Sequence, residues 1–65
     1  MVNTDQIIAL INQKGYTEKE IAKTLGISLN AFESRINEKK FLVDEAEKLI
    51  LILEIRNPAA IFFTE

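Results

Sequence analysis

Residues 17–37, TEKEIAKTLGISLNAFESRIN, decide the fold. They read as two short helices joined by a tight turn at Gly26. Thr17 with Glu20 three residues later forms a capping box, in which hydroxyl and carboxylate each satisfy a backbone N–H that the first helical turn leaves without a partner. Tyr16 and Ile21 flank that cap as a hydrophobic staple. Ser28 repeats the arrangement, with Ile27 before it and Phe32 four residues after it. Ala22 lies one turn before Gly26 and is small enough to let a second helix approach closely. Gly26 can adopt the left-handed conformation that ends a helix without steric cost.

Outward from this stretch the helical period continues. Ile7, Ile8, Leu10 and Ile11 fall at helical spacing and predict a first helix over residues 4–13, with Asn3 or Thr4 as its start and Gly15 as its C-terminal cap. The second helix is expected over residues 18–25, with Ile21, Ala22 and Leu25 inward. The third is expected over 29–37, with Phe32 and Ile36 on its buried side. Residues 38–42 read as a loop. Asp44 with Glu47 then suggests another capping box, opening a fourth helix that runs to about residue 54. The alternating run at residues 49–53 fits a strand by pattern alone, and the cap makes helix the better reading. Asn57-Pro58 breaks the chain, and proline suits a first helical turn, so a short last helix over 58–63 is expected.

Sixty-five residues leave room for one domain with a thin core. The chain has neither cysteine nor histidine. That removes disulfides, thiolate metal sites, thiol nucleophiles and the commonest general base. No Gly-rich phosphate loop, nucleophile elbow or metal-ligand spacing is present. Asp44, Glu45 and Glu47 are the nearest approach to a carboxylate cluster, and they fit a helix N-terminus, where the dipole favours negative charge. An enzyme is therefore not expected, nor a cofactor or metal. No signal-peptide pattern or membrane-length apolar run is seen, so the cytoplasm is the expected compartment.

The net charge is −2, which is unusual for a nucleic-acid partner. Its distribution is uneven. Over residues 14–40, six basic side chains face four acidic ones, a balance of +2; the remainder of the chain carries −4.

Helix, short turn with glycine, helix is the layout of the helix-turn-helix. The run also resembles the phage repressor/Cro family, particularly its short prophage members. Ala22, Gly26, Ile27-Ser28, Phe32 and Ile36-Asn37 carry the resemblance, together with the C-terminal Ile61-Phe62-Phe63. It spans nearly the whole chain. It implies an all-α, five-helix, lambda-repressor-like DNA-binding domain with transcription regulation as its function and double-stranded DNA as its partner.

By position, the resemblance places Thr17, Glu18, Lys39 and Lys40 on the parts that grip the DNA backbone. It places Ser28, Leu29, Asn30, Glu33 and Ser34 on the parts that reach base edges in the major groove. Asn30 can pair with adenine through two hydrogen bonds, Leu29 can meet a thymine methyl, and Glu33 can accept from cytosine. Local readings stand beside these. Capping alone accounts for Ser28, packing beside Ile36 for Leu29, and a solvated loop for Lys39 and Lys40. Two residues depart from the family pattern: Glu18 stands where glutamine is common, and Leu29 where short relatives often have arginine.

The fourth helix is more apolar than one buried face requires. Leu49, Ile50 and Leu53 can fill the core, leaving Leu51 or Ile52 pointing elsewhere. With Pro58, Phe62 and Phe63 they form a candidate homodimer interface, and in the family this region commonly pairs two protomers on a two-fold operator. A second function class is a helix-turn-helix fold used as a protein-interaction module, a modulator or antirepressor of a partner regulator. The acidic balance, Glu18 and Leu29 favour it.

Overall fold

The computed structural model describes residues 1–63. Five helices and no strand occur among them: α1 Thr4–Gln13, α2 Glu18–Leu25, α3 Leu29–Glu38, α4 Val43–Ile52 and α5 Pro58–Phe62. The all-α class and the order of elements follow the sequence pattern.

The first three helices are started by side chains. Asn3 Oδ1 accepts from the Gln6 N–H, Thr17 Oγ1 from the Glu20 N–H at 3.1 Å, and Ser28 Oγ from the Ala31 N–H at 3.1 Å. The Thr17 box is complete, since the Thr17 N–H donates back to Glu20 Oε1 at 2.9 Å. Gly26 follows α2 at φ +77°. Its own N–H meets the Lys23 carbonyl, and the Ile27 N–H reaches the Ala22 carbonyl, which closes the helix end and turns the chain into α3. Nothing lies within 4 Å of the place a Cβ would occupy on Gly26, so its backbone conformation, not space, calls for glycine there.

Ile7, Ile11, Ile21, Phe32 and Leu49 are fully buried, and Ala22, Leu25, Leu53 and Ile61 nearly so. Phe32 lies at the centre, its ring 6.2 Å from that of Phe41 in a tilted pair. Ile36 is half-buried at the edge of this cluster. The chain start is tied across the bundle: the Val2 N–H donates to the Lys39 carbonyl and the Asn3 N–H to the Ile61 carbonyl.

The start of α4 corrects the expected capping box at Asp44 and Glu47. Leu42 precedes the helix, and the carboxylate that returns to it belongs to Glu45, whose Oε1 accepts from the Leu42 N–H at 2.9 Å. A leucine side chain has no acceptor, so only half of the box exists. Asp44 and Glu47 are exposed. The helix also stops earlier than expected, at Ile52, and α3 runs one residue further, to Glu38.

Candidate nucleic-acid interface

The face in question is built by α2, the turn at Gly26, α3 and residues 39–42. α3 divides its residues cleanly. Phe32, Arg35 and Ile36 turn inward, while Leu29, Asn30, Glu33, Ser34 and Asn37 form one exposed stripe at helical spacing. The side chains of Asn30, Glu33 and Ser34 make no hydrogen bond or ion pair with another described residue. Ser28 is exposed at the head of this stripe, with its oxygen engaged by the Ala31 N–H. Leu29 is 38% exposed, so part of its side chain is packed and part faces outward.

At the start of α2 the outward donors are fewer than the sequence suggests. The capping box occupies both the Thr17 N–H and its hydroxyl oxygen, which leaves the hydroxyl proton to donate outward. The Glu18 and Glu20 carboxylates sit at this positive helix end, where they complement the dipole and oppose a second anion. At the other end of α3, Lys39 and Lys40 are both exposed. Lys39 holds a left-handed conformation, φ +57°.

Folding changes the charge balance read from the sequence. Arg35 pairs with Glu45, Nε to Oε1 at 2.9 Å and Nη2 to Oε2 at 3.2 Å. Lys14 Nζ lies 3.2 Å from Glu54 Oε2. Both carboxylates come from outside residues 14–40, so two of the six cations in that segment are already partnered. Lys19, Lys23, Lys39 and Lys40 then face Glu18, Glu20, Glu33 and Glu38, and the local excess of +2 is gone.

Glu45 reads in the sequence only as one of three acids at a helix N-terminus, and its buried pairing is what the sequence did not mark. It is 4% exposed, an acid inside the core margin. Burial pushes its carboxyl upward, but hydrogen bonds from Arg35 and from the Leu42 N–H, with the nearby charges of Arg35 and Lys48, outweigh that. Its pKa lies below the ordinary carboxylate value. The same pairing holds the Arg35 guanidinium above its ordinary value. A Glu at N3 is a common cap; its tie to an arginine ten residues earlier leaves no pattern in the sequence.

The residues expected at a self-association surface separate into two groups. Pro58, Phe62 and Phe63 line an almost wholly apolar cleft of about 270 Å³, together with Val2, Phe41, Val43 and Ile50. Phe63 is 80% exposed and Val43 73%. Leu51 and Ile52 do not line it. Leu51 stands 78% exposed on another side of α4, and Ile52 is half-buried against the core. The larger cleft, about 690 Å³, runs between α1 and the α4–α5 connection, and none of the expected site residues line it.

Among the described residues, no group of three or more acidic, histidine or cysteine side chains is arranged to hold a metal ion, and no helix is long and apolar enough to cross a membrane. Compared with protein-family models, with curated proteins and with solved structures, the chain finds no match.

Proposed function

We propose that this chain is a sequence-specific DNA-binding transcription regulator of the phage repressor/Cro type, acting as a homodimer on a two-fold operator. The observation that carries the reading is the division of α3. Its inward side is locked by Phe32 and the Arg35–Glu45 pair, while Asn30, Glu33 and Ser34 project outward with no internal partner. A rigid helix with free polar side chains in its first turns suits insertion into a major groove. Asn30 is the selective reader, with Ser28, Leu29, Glu33 and Ser34 beside it. Lys39 and Lys40 are the phosphate contacts, with Thr17 adding one hydroxyl donor. Glu18 works against the phosphate beside it.

The dimer forms around the apolar cleft. An exposed Phe63 beside an apolar groove lined by Phe41, Ile50 and Phe62 supports this reading, since a two-fold pairing would bury the same patch on both protomers.

Selection from a random duplex pool at low salt tests the proposal; an enriched palindrome is expected. With two lysines from each protomer on phosphates, log K should fall with log salt at a slope of about −4. A pool that yields no enriched sequence sinks it. That outcome supports a second reading, favoured by the cancelled charge and by Glu18 and Glu33 on the outer face: a modulator that binds another regulator protein. Sedimentation equilibrium tests the dimer separately.

A further inference from the structure

Residues 39–42 carry the two lysines and are fastened at four points. The Lys39 N–H donates to the Ile36 carbonyl at 3.3 Å, the Lys40 N–H to the Arg35 carbonyl at 3.2 Å, the Val2 N–H to the Lys39 carbonyl at 3.1 Å, and the Leu42 N–H to Glu45 Oε1 at 2.9 Å. Two of those four lead to one pair. Arg35 receives Lys40 through its carbonyl and holds Glu45 through its guanidinium; Glu45 receives Leu42. The Leu42 end of the segment is therefore tied to the Arg35–Glu45 side-chain pair bridging α3 and α4, while the Lys40 end is closed by the main chain of α3. Lys39 stands in the left-handed region without being glycine, a strained state that persists where surrounding contacts over-determine it.

We infer that Glu45 is a positioning residue for the candidate interface: through Arg35 and the Leu42 N–H it sets where Lys39 and Lys40 stand, without itself meeting nucleic acid. This role rests on the DNA-binding reading, and it runs against simple electrostatics. Removing a negative charge near a phosphate contact should by itself strengthen binding. A positioning role demands the opposite sign.

The experiment uses Glu45→Gln, and Arg35→Lys as a second variant that keeps the charge and loses the two-pronged geometry. Each is made in the wild-type chain and in a Lys39→Ala/Lys40→Ala background. One readout is amide exchange at Lys40 and Leu42, compared with the amides of α2. The other is the salt slope for a labelled duplex of mixed sequence. Faster exchange at Lys40 and Leu42 alone is expected. The salt slope should shallow by about one for each lysine displaced, with no further change in the lysine-free background. Unchanged exchange at those two amides overturns the inference. So does tighter binding by Glu45→Gln, or a loss that persists without the lysines. If the wild-type chain binds no duplex at any salt, the DNA reading fails alone, and the exchange result still decides whether Glu45 holds the segment.

Discussion

The same backbone turn ends four helices of this chain, twice with glycine and twice without. After α1 and α2 the left-handed residue is Gly15 or Gly26; after α3 and α4 it is Lys39 or Glu54. The hydrogen bonds match in each case. The following N–H returns five residues back, from Tyr16 to Ile11, Ile27 to Ala22, Lys40 to Arg35 and Ile55 to Ile50. Helix starts divide one helix later. Asn3, Thr17 and Ser28 cap with their side chains, while Leu42 and Asn57 make no side-chain cap. The front of the chain is thus shaped by local chemistry. The back is shaped by distant contacts: Arg35 to Glu45, Val2 to Lys39, Asn3 to Ile61 and Lys14 to Glu54.

The largest expected effect removes what both halves share. Phe32 is fully buried, so Phe32→Ala opens a cavity at the centre of a thin core and should cost about 3–5 kcal/mol. Urea unfolding measures it. A loss below about 1 kcal/mol would mean that the site collapses to fill the gap, and that the two halves do not depend on a common centre.

Acid should break the back half first. The Glu45 carboxyl titrates below its ordinary value, so the stability it contributes is fully present above the unfolded value of about 4.3 and is lost as pH falls through the lower folded one. The urea midpoint should drop between neutral pH and roughly pH 3, and part of that drop should vanish in Glu45→Gln. Exchange at Leu42 should rise before exchange at Ala31, whose cap is an uncharged serine. An unchanged acid profile in the variant would show that Glu45 contributes nothing to the linkage.

The front half should answer to local substitutions. Gly26→Ala forces an L side chain into the left-handed region and should cost about 1 kcal/mol once glycine's extra freedom in the unfolded chain is set against the strain. Thr17→Ala and Ser28→Ala should each cost about 1 kcal/mol. Asp44→Ala, by contrast, should stay within about 0.5 kcal/mol, because Asp44 makes no cap. Equal losses at Ser28 and Asp44 would erase the difference between the halves.

That difference also explains what the sequence made legible. The bounds of α1 and α2 were readable because Asn3, Thr17, Gly15 and Gly26 act on their own neighbours. Asp44 and Glu47 matched a capping template yet carry no cap. Glu45, one residue away, is bound to Arg35, and spacing along a chain does not report a partner ten residues off. The resemblance alone marks Leu29, Asn30, Glu33 and Ser34; that they lie on the side of α3 away from Phe32 is what the structure adds. The loss of the basic excess was not readable, since it depends on Lys14 and Arg35 finding carboxylates in the other half. Likewise Leu51 was apolar enough to suggest the same surface as Phe63, but only the packing of α4 sets the two apart.

The smallest effect on stability separates the left-handed residues from their charge. Lys39→Gly relieves a backbone conformation that costs an L residue about 1 kcal/mol. Glycine returns about 0.5–1 kcal/mol of that through the extra freedom of the unfolded chain. The net change should therefore be under about 1 kcal/mol, and the same two terms apply with opposite sign to the reverse exchange at Gly26. A smaller change at Lys39 than at Gly26 is what tertiary control of the α3 end requires, because the Lys39 carbonyl is also held by the Val2 N–H. Duplex binding should behave differently. Lys39→Gly keeps the turn and removes one proposed phosphate contact from each protomer of the proposed dimer, so affinity should fall for all sequences alike and the salt slope should shallow by about one per protomer. Thermal unfolding and a salt titration on the same sample read both quantities. A clear gain in stability would mean that the turn is strained rather than held, and unchanged binding would take Lys39 out of the interface.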